Sequence, residues 1–284
     1  MINHTEKKFI KYILSYINSS EKFSSLFNHH KQKYLIEDLF TALIFKLKTG
    51  ISYNNFSYIN LNIKGSNLYY FHKKLVKYNF FEEFFDYYIK NYVENMHEHQ
   101  KEFYMDSTLI ANKLGIDLAT YNVQLKKHKS SKVSIVIDDY GVPIDYIITN
   151  SNNHDASILC DQITTIAKKF PELCTNNKVF IGDAGYDSSR ISNRLKECNL
   201  GTLICDKNKR NTKDPEKLNK LKLDLYSKMS LKKRSKIEHT NNFLKQHRTV
   251  NVRYEKYSKN YNSFILLAII KLAFTKIGII EKYI

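Results

Sequence analysis

At 284 residues the chain can bury a substantial core and has room for one or two domains. Its 45 Lys and Arg against 28 Asp and Glu leave a formal charge of +17, which points to a polyanionic partner, nucleic acid before an anionic membrane. The four cysteines (Cys160, Cys174, Cys198, Cys205) lack CxxC spacing and no secretory signal opens the sequence, which argues against a disulfide-stapled secreted domain and leads us to expect reduced thiols in an intracellular protein. Part of the charge surplus reflects codon usage, since Lys, Asn, Ile and Tyr are all abundant and A+T-rich codons encode them.

With three prolines, eight glycines and no Ser/Gly linker, a domain boundary has to be read from a change of periodicity. Up to about residue 99 the pattern is helical. Leu35, Leu39, Leu43 and Leu47 recur at helical spacing, with Gly50 as a stop. Further helices are predicted over Ser66–Lys77 and Phe80–Glu94. These helices make a small bundle, for which a helix-turn-helix and an ordinary bundle are both open.

From Phe103 the pattern changes. Phe103–Asp106 reads as a short strand, and Lys132–Asp138 and Val142–Thr149 as β-branched strands joined by an Asp139-Tyr140-Gly141 turn. Asp155–Lys169 is predicted helical with Asp155 as N-cap. A strand over Lys178–Ile181 ends at Gly182-Asp183, followed by a helix over Ser188–Glu197 and a strand over Thr202–Cys205. A longer helix is expected over Lys228–His247, and a closing helix from about Tyr261 to Ile280. Lys271 and Lys276 interrupt the apolar run Ser263–Ile280, which therefore reads as a buried helix and not a membrane span. The element order implies an α/β protein with a ribonuclease H-like mixed sheet flanked by helices, preceded by an all-helical N-terminal domain. The expected division is 1–99, a helical DNA-binding domain, and 100–284, a catalytic domain with a C-terminal packing helix.

Three acids stand out on these elements. Asp106 ends the first strand, Asp183 follows the strand over Lys178–Ile181, and Glu238 lies on the late helix. Strand ends are where α/β sheets open sites. Mg²⁺ favours carboxylate oxygens, and two such ions about 4 Å apart can serve both the attacking and the leaving oxygen of a phosphodiester. By position alone, each Asp could equally be a turn residue or a helix cap. On an ideal helix Arg234, Glu238 and Lys245 fall within about 40° of one another, placing two cations suited to phosphate beside an acid; a solvated ion-paired face would look the same.

Several segments resemble insertion-sequence DDE transposases, closest to families four and five of the bacterial insertion sequences. FYMDST (Phe103–Thr108) is similar to the box around the first catalytic Asp, and GDAGYDS (Gly182–Ser188) to the box of the second. His128–Asp155 resembles the intervening stretch of Lys-rich loop, strand, Asp-x-x-Gly turn, strand and Asn-x-His-Asp. Arg234, Glu238 and Lys245 fit the Arg, Glu and Lys of the family's Tyr-Arg-Glu-Lys signature, whose Tyr falls at Leu231. Leu43–Phe56 and Phe243–Tyr257 also look like that family, so the resemblance covers most of the chain.

The resemblance implies a transposase whose Asp106, Asp183 and Glu238 bind two Mg²⁺ ions, with Mn²⁺ able to substitute. It implies cleavage at terminal inverted repeats, strand transfer into target DNA, and a homodimer on paired ends. It agrees with a cytoplasmic protein, nucleoid-associated in a bacterial host, with no membrane partner. DNA contacts are expected from Arg234 and Lys245, from the cluster Lys126, Lys127, Lys129 and Lys132, and from the basic run 206–236, which carries twelve Lys/Arg against four Asp/Glu. Two alternatives stand beside this: a decayed or domesticated relative that binds DNA without transposing, motivated by Leu231, and a structure-specific nuclease of the same fold. His154 and Asp155 are open between a place near the site and a helix-capping role. His97 and His99 read as surface residues.

Overall fold

The computed structural model describes residues 3–27, 33–58, 63–122, 128–205 and 224–280. The chain divides into two compact units, each gathering segments distant in sequence: one takes 1–88, 112–117 and 243–282, the other chiefly 89–111 and 118–242.

The first unit is helical. It contains α1 (His4–Ser19), α2 (Glu21–Phe27), α3 (Ile36–Thr49), α4 (Gly65–Lys77) and the start of α5 (Phe80–Met96). A capping box opens α1: the Asn3 side chain accepts from the Glu6 N–H, and the Glu6 carboxylate accepts from the Asn3 N–H at 2.9 Å. Leu39, Leu43 and Leu47 are buried along α3, while Leu35 is exposed just ahead of it. Gly50 ends α3 at φ 70°, a conformation that a side chain would strain. The closing helix, Ser258–Ile280, is mostly buried and touches α1, α3 and α4. It is the one helix among the described residues long and apolar enough to cross a membrane. Its Lys271 reaches the buried Glu6 carboxylate at 2.8 Å.

The second unit is built on a mixed sheet. Its strands are β1 (Glu102–Asn112), β2 (Thr120–Asn122), β3 (His128–Asp138), β4 (Pro143–Asn150), β5 (Val179–Gly182) and β6 (Thr202–Cys205). β3 pairs antiparallel with β1 on one edge, and with β4 and the short β2 on the other. β1 then pairs parallel with β5, and β5 parallel with β6. This is the ribonuclease H-like arrangement that the element order predicts. The β3–β4 turn is the predicted one, with Gly141 at φ 80°. Asp138 holds it by accepting from the N–H groups of Tyr140 and Val142, so the Asp-x-x-Gly motif is turn chemistry here.

Helices cover both faces. Ser134 of β3 donates to Gln162 of α6 (Asp155–Lys169) at 2.8 Å, and α6 packs on β3, β4 and α7 (Ser189–Glu197). Side chains alternate across a strand, so Glu102, Tyr104 and Asp106 share the opposite face of β1. That face meets α8 (Leu225–Lys232) and α9 (Ser235–Gln246).

Three expectations are corrected. The first strand does not end at Asp106 but runs on to Asn112, because β3 pairs with it as far as Ala111, so Asp106 lies within the strand. The single helix expected over Lys228–His247 is two helices, broken by a turn at Lys233-Arg234. The N–H groups of Lys233 and Arg234 bond three residues back, to Ser230 and Leu231, which tightens the last turn of α8 into a 3₁₀ geometry that ends the α-helix. Nor does Asp155 cap α6. The cap position is His154, which makes no side-chain cap bond, and the Asp155 carboxylate accepts from Lys132 Nζ at 2.9 Å. The four cysteines form no disulfide.

Candidate active site

The site begins with how β1 holds the α8–α9 pair. Glu102 is buried, and its carboxylate gathers hydrogen bonds from Tyr104 (2.6 Å), Lys233 (2.8 Å), Ser230 (2.9 Å) and Tyr226 (3.3 Å). Burial pushes its pKa up, but the bonds from Lys233, Tyr104 and Ser230 outweigh that and hold it at about 2. One residue pair further along, Lys236 lies over the Tyr104 ring at 5.5 Å and donates to the Asp139 carbonyl at 2.6 Å. Next on the same face, Asn241 of α9 donates to Asp106 Oδ2 at 2.8 Å. Every second residue of β1 thus anchors a successive piece of α8–α9.

Asp106 and Asp183 come together through the parallel pairing. Glu102, Phe103 and Tyr104 of β1 lie opposite Val179, Phe180 and Ile181 of β5. Two residues beyond that pairing, just past the end of β5, Asp183 lies near enough for its charge to act on Asp106. Burial pushes the Asp106 carboxyl above its ordinary range and the Asp183 charge adds to this, while the Ser107 N–H, Arg234 and Asn241 pull it back. Asp183 turns the chain out of β5, its Oδ1 accepting from the Gly185 N–H at 2.8 Å. The next aromatic, Tyr186, is buried and faces the Ser107 hydroxyl at 3.2 Å, tying the turn after β5 to β1 on the other side of the sheet. Gly182 leaves room for it: a Cβ there would sit 2.8 Å from Met105 Cε and 2.9 Å from Tyr186 Cδ2.

Glu238 is on α9, one turn from Asn241, and exposed. Among the described residues no three His, Cys, Asp or Glu side chains are grouped closely enough to hold a metal ion. Arg234 sits in the turn ahead of α9, where its charge acts on Asp106 and its Nε is buried with no hydrogen-bond partner among the described residues. Lys245 is exposed near the end of α9. Lys129 is exposed, 5.8 Å from the Tyr121 ring, whereas Lys132 is buried with its ammonium on the Asn153 carbonyl and Asp155. Lys126, Lys127 and most of the basic run 206–236 lie outside the described residues. Leu231 is half-buried on α8. His154 is exposed.

Two half-buried carboxylates set side by side supply hard oxygen donors whose repulsion a cation would relieve, so Asp106 and Asp183 fit a divalent metal. Sequence reading alone missed Asn241, Glu102 and Tyr186. The signals were present: Glu102 is four residues from Asp106 along one strand face, Asn241 is three from Glu238 along a helix, and Tyr186 stands in the second Asp box.

In fold the chain is similar to a piggyBac transposase in a synaptic complex with hairpin DNA, at 9% identity and TM-score 0.56, over 96% of this chain and 72% of that one. The Mos1 transposase in a strand transfer complex overlays at TM-score 0.34 and 11% identity, covering 88% and 78% of the two chains, too loosely to argue from. No curated protein sequence matches. The sequence family described as the transposase DDE domain matches residues 99–271. That span is well over half of the molecule, and the chain belongs to the transposase DDE domain family.

Proposed function

We propose that this transposase cleaves DNA at terminal inverted repeats and joins the freed 3′ ends to target DNA, at a site formed by Asp106, Asp183 and Glu238. The observation that supports the reading is the parallel pairing of β1 with β5 just ahead of Asp106 and Asp183, together with the hydrogen bond from Asn241 of α9 to Asp106. Asp106 and Asp183 would hold Mg²⁺, or Mn²⁺ in its place, and Glu238, on the adjoining turn of α9, would complete the ligand set for two ions. Bound there, the metal supplies Lewis-acid stabilisation of charge developing on the phosphate oxygens. Arg234, already acting on Asp106, would turn its guanidinium to a phosphate, and Lys245, further along α9, would contact the backbone on the same strand. Lys126, Lys129 and Lys132 would add to that track, Lys132 after leaving Asp155. The N-terminal helices, residues 1–99, would recognise the repeats, and a homodimer would hold two ends together.

The test is strand cleavage and joining on repeat-ended DNA with Mg²⁺, comparing wild type with Asp106→Ala, Asp183→Ala and Glu238→Gln. Loss of both steps in each variant supports the reading. A second reading, binding without cleavage, draws on Leu231 in place of the signature tyrosine and on Glu238 standing outside the carboxylate pair. Tight binding with no product in Mg²⁺ or Mn²⁺ would select it.

A further inference from the structure

We propose that Asn241 is a positioning residue: it orients the Asp106 carboxylate for the metal and docks the helix that carries Glu238. The inference rests on the metal-site reading above.

The hydrogen bond from Asn241 Nδ2 to Asp106 Oδ2, at 2.8 Å, is a side-chain link from α9 to the first acid. Asn241 is buried, at 6% exposure, and the bond is partly shielded from water. It engages one oxygen of a carboxylate that also takes the Ser107 N–H and feels the Asp183 charge. An ionised carboxylate only accepts, so the amide must present its NH₂ group, since the flipped amide would set oxygen against oxygen. The consequence is visible at the other end of the amide. Asn241 Oδ1 is buried with no hydrogen-bond partner among the described residues. A purely structural asparagine in a packed interior would have both ends satisfied. Here, among the described residues, the carbonyl goes without a partner while the donor is kept on Asp106.

The same bond reaches Glu238. At 100° per residue, a separation of three places Glu238 about 60° from Asn241 around α9. Fixing Asn241 on Asp106 therefore fixes the rotation of α9, and with it the direction from which the Glu238 carboxylate approaches the aspartate pair. Groups that orient a metal ligand from behind typically change metal affinity about 10- to 100-fold when removed.

The experiment titrates Mn²⁺ into the full chain and reads free Mn²⁺ by electron paramagnetic resonance, for wild type, Asp106→Ala, Asn241→Leu and Asn241→Gln. Leucine keeps the branching at Cγ and removes the donor, whereas glutamine retains an amide donor. Thermal melts of each variant identify the folded proteins, and Asn241→Ala replaces the leucine variant if that one does not fold. The expected result is loss of the Asp106-dependent Mn²⁺ site in Asp106→Ala, affinity about 10- to 100-fold weaker in Asn241→Leu, and partial recovery in Asn241→Gln. Amide hydrogen exchange across α9 should also rise in Asn241→Leu, the signature of an undocked helix. If Asp106→Ala loses Mn²⁺ but Asn241→Leu and Asn241→Ala bind it like wild type, the positioning role is overturned and the metal site stands. If Asp106→Ala itself binds like wild type, both fall.

Discussion

Glu102 shows what a single side chain contributes. It stabilises the face of β1 next to Asp106 without being one of the expected acids, and it is paired with Lys233 and three hydroxyls. Its pKa of about 2 lies below the ordinary 4.5. A carboxyl lowered on folding gives stability that is complete above the unfolded pKa and is lost as pH falls through the folded one. Urea melts should therefore show stability declining between pH 4.5 and 2, and Glu102→Ala should flatten that part of the profile. At neutral pH the same variant should lose about 2 kcal/mol, the scale of hydrogen bonds to a buried charge. An unchanged profile would mean the carboxylate is not held as described. Tyr186 makes a second case. Tyr186→Phe removes only the contact with Ser107 and should cost about 1 kcal/mol, whereas Tyr186→Ala opens a cavity worth roughly 3–5 kcal/mol; equal losses in denaturant melts would contradict that packing.

Among the elements, those with a strong local pattern were legible in the sequence. The leucine series gave α3 with its Gly50 stop, and the β-branched runs around Gly141 gave the β3–β4 hairpin. What local pattern could not carry was anything set by a distant partner. β1 runs on to Asn112 because β3 continues to pair with it as far as Ala111. The late helix breaks at Lys233 because two bonds three residues back close the turn, and Lys233 is then held by Glu102, 131 residues away. Asp155 has the sequence position of a cap yet answers to Lys132. The two aspartate positions were readable because each comes after apolar residues, but Asp106 lies within β1 whereas Asp183 lies just past β5, and their proximity depends on the pairing of β1 with β5. Gly201 tests that neighbourhood: it enters β6 at φ 80°, and a Cβ would lie 1.9 Å from the Lys178 carbonyl. Gly201→Ala should lower stability by roughly 1–3 kcal/mol, the cost of a strained backbone position, with the clash adding to it; a thermal melt matching wild type would refute the assignment.

For the whole molecule, the +17 charge makes a prediction independent of any one contact. If binding neutralises roughly 6–10 phosphates, affinity should fall about 10³- to 10⁵-fold between about 50 and 200 mM salt, on specific and random duplexes alike. Affinity that barely responds to salt would detach the charge from DNA binding. The central claim is narrower: Asp106, Asp183 and Glu238 act as one catalytic set. The measurement that tests it most directly is Mg²⁺-dependent cleavage and strand transfer on DNA carrying the element's ends, for wild type, Asp106→Ala, Asp183→Ala and Glu238→Gln, each first shown to bind that DNA. The account predicts product from wild type and none from any variant, with binding retained; variants that cut and join as fast as wild type would contradict it.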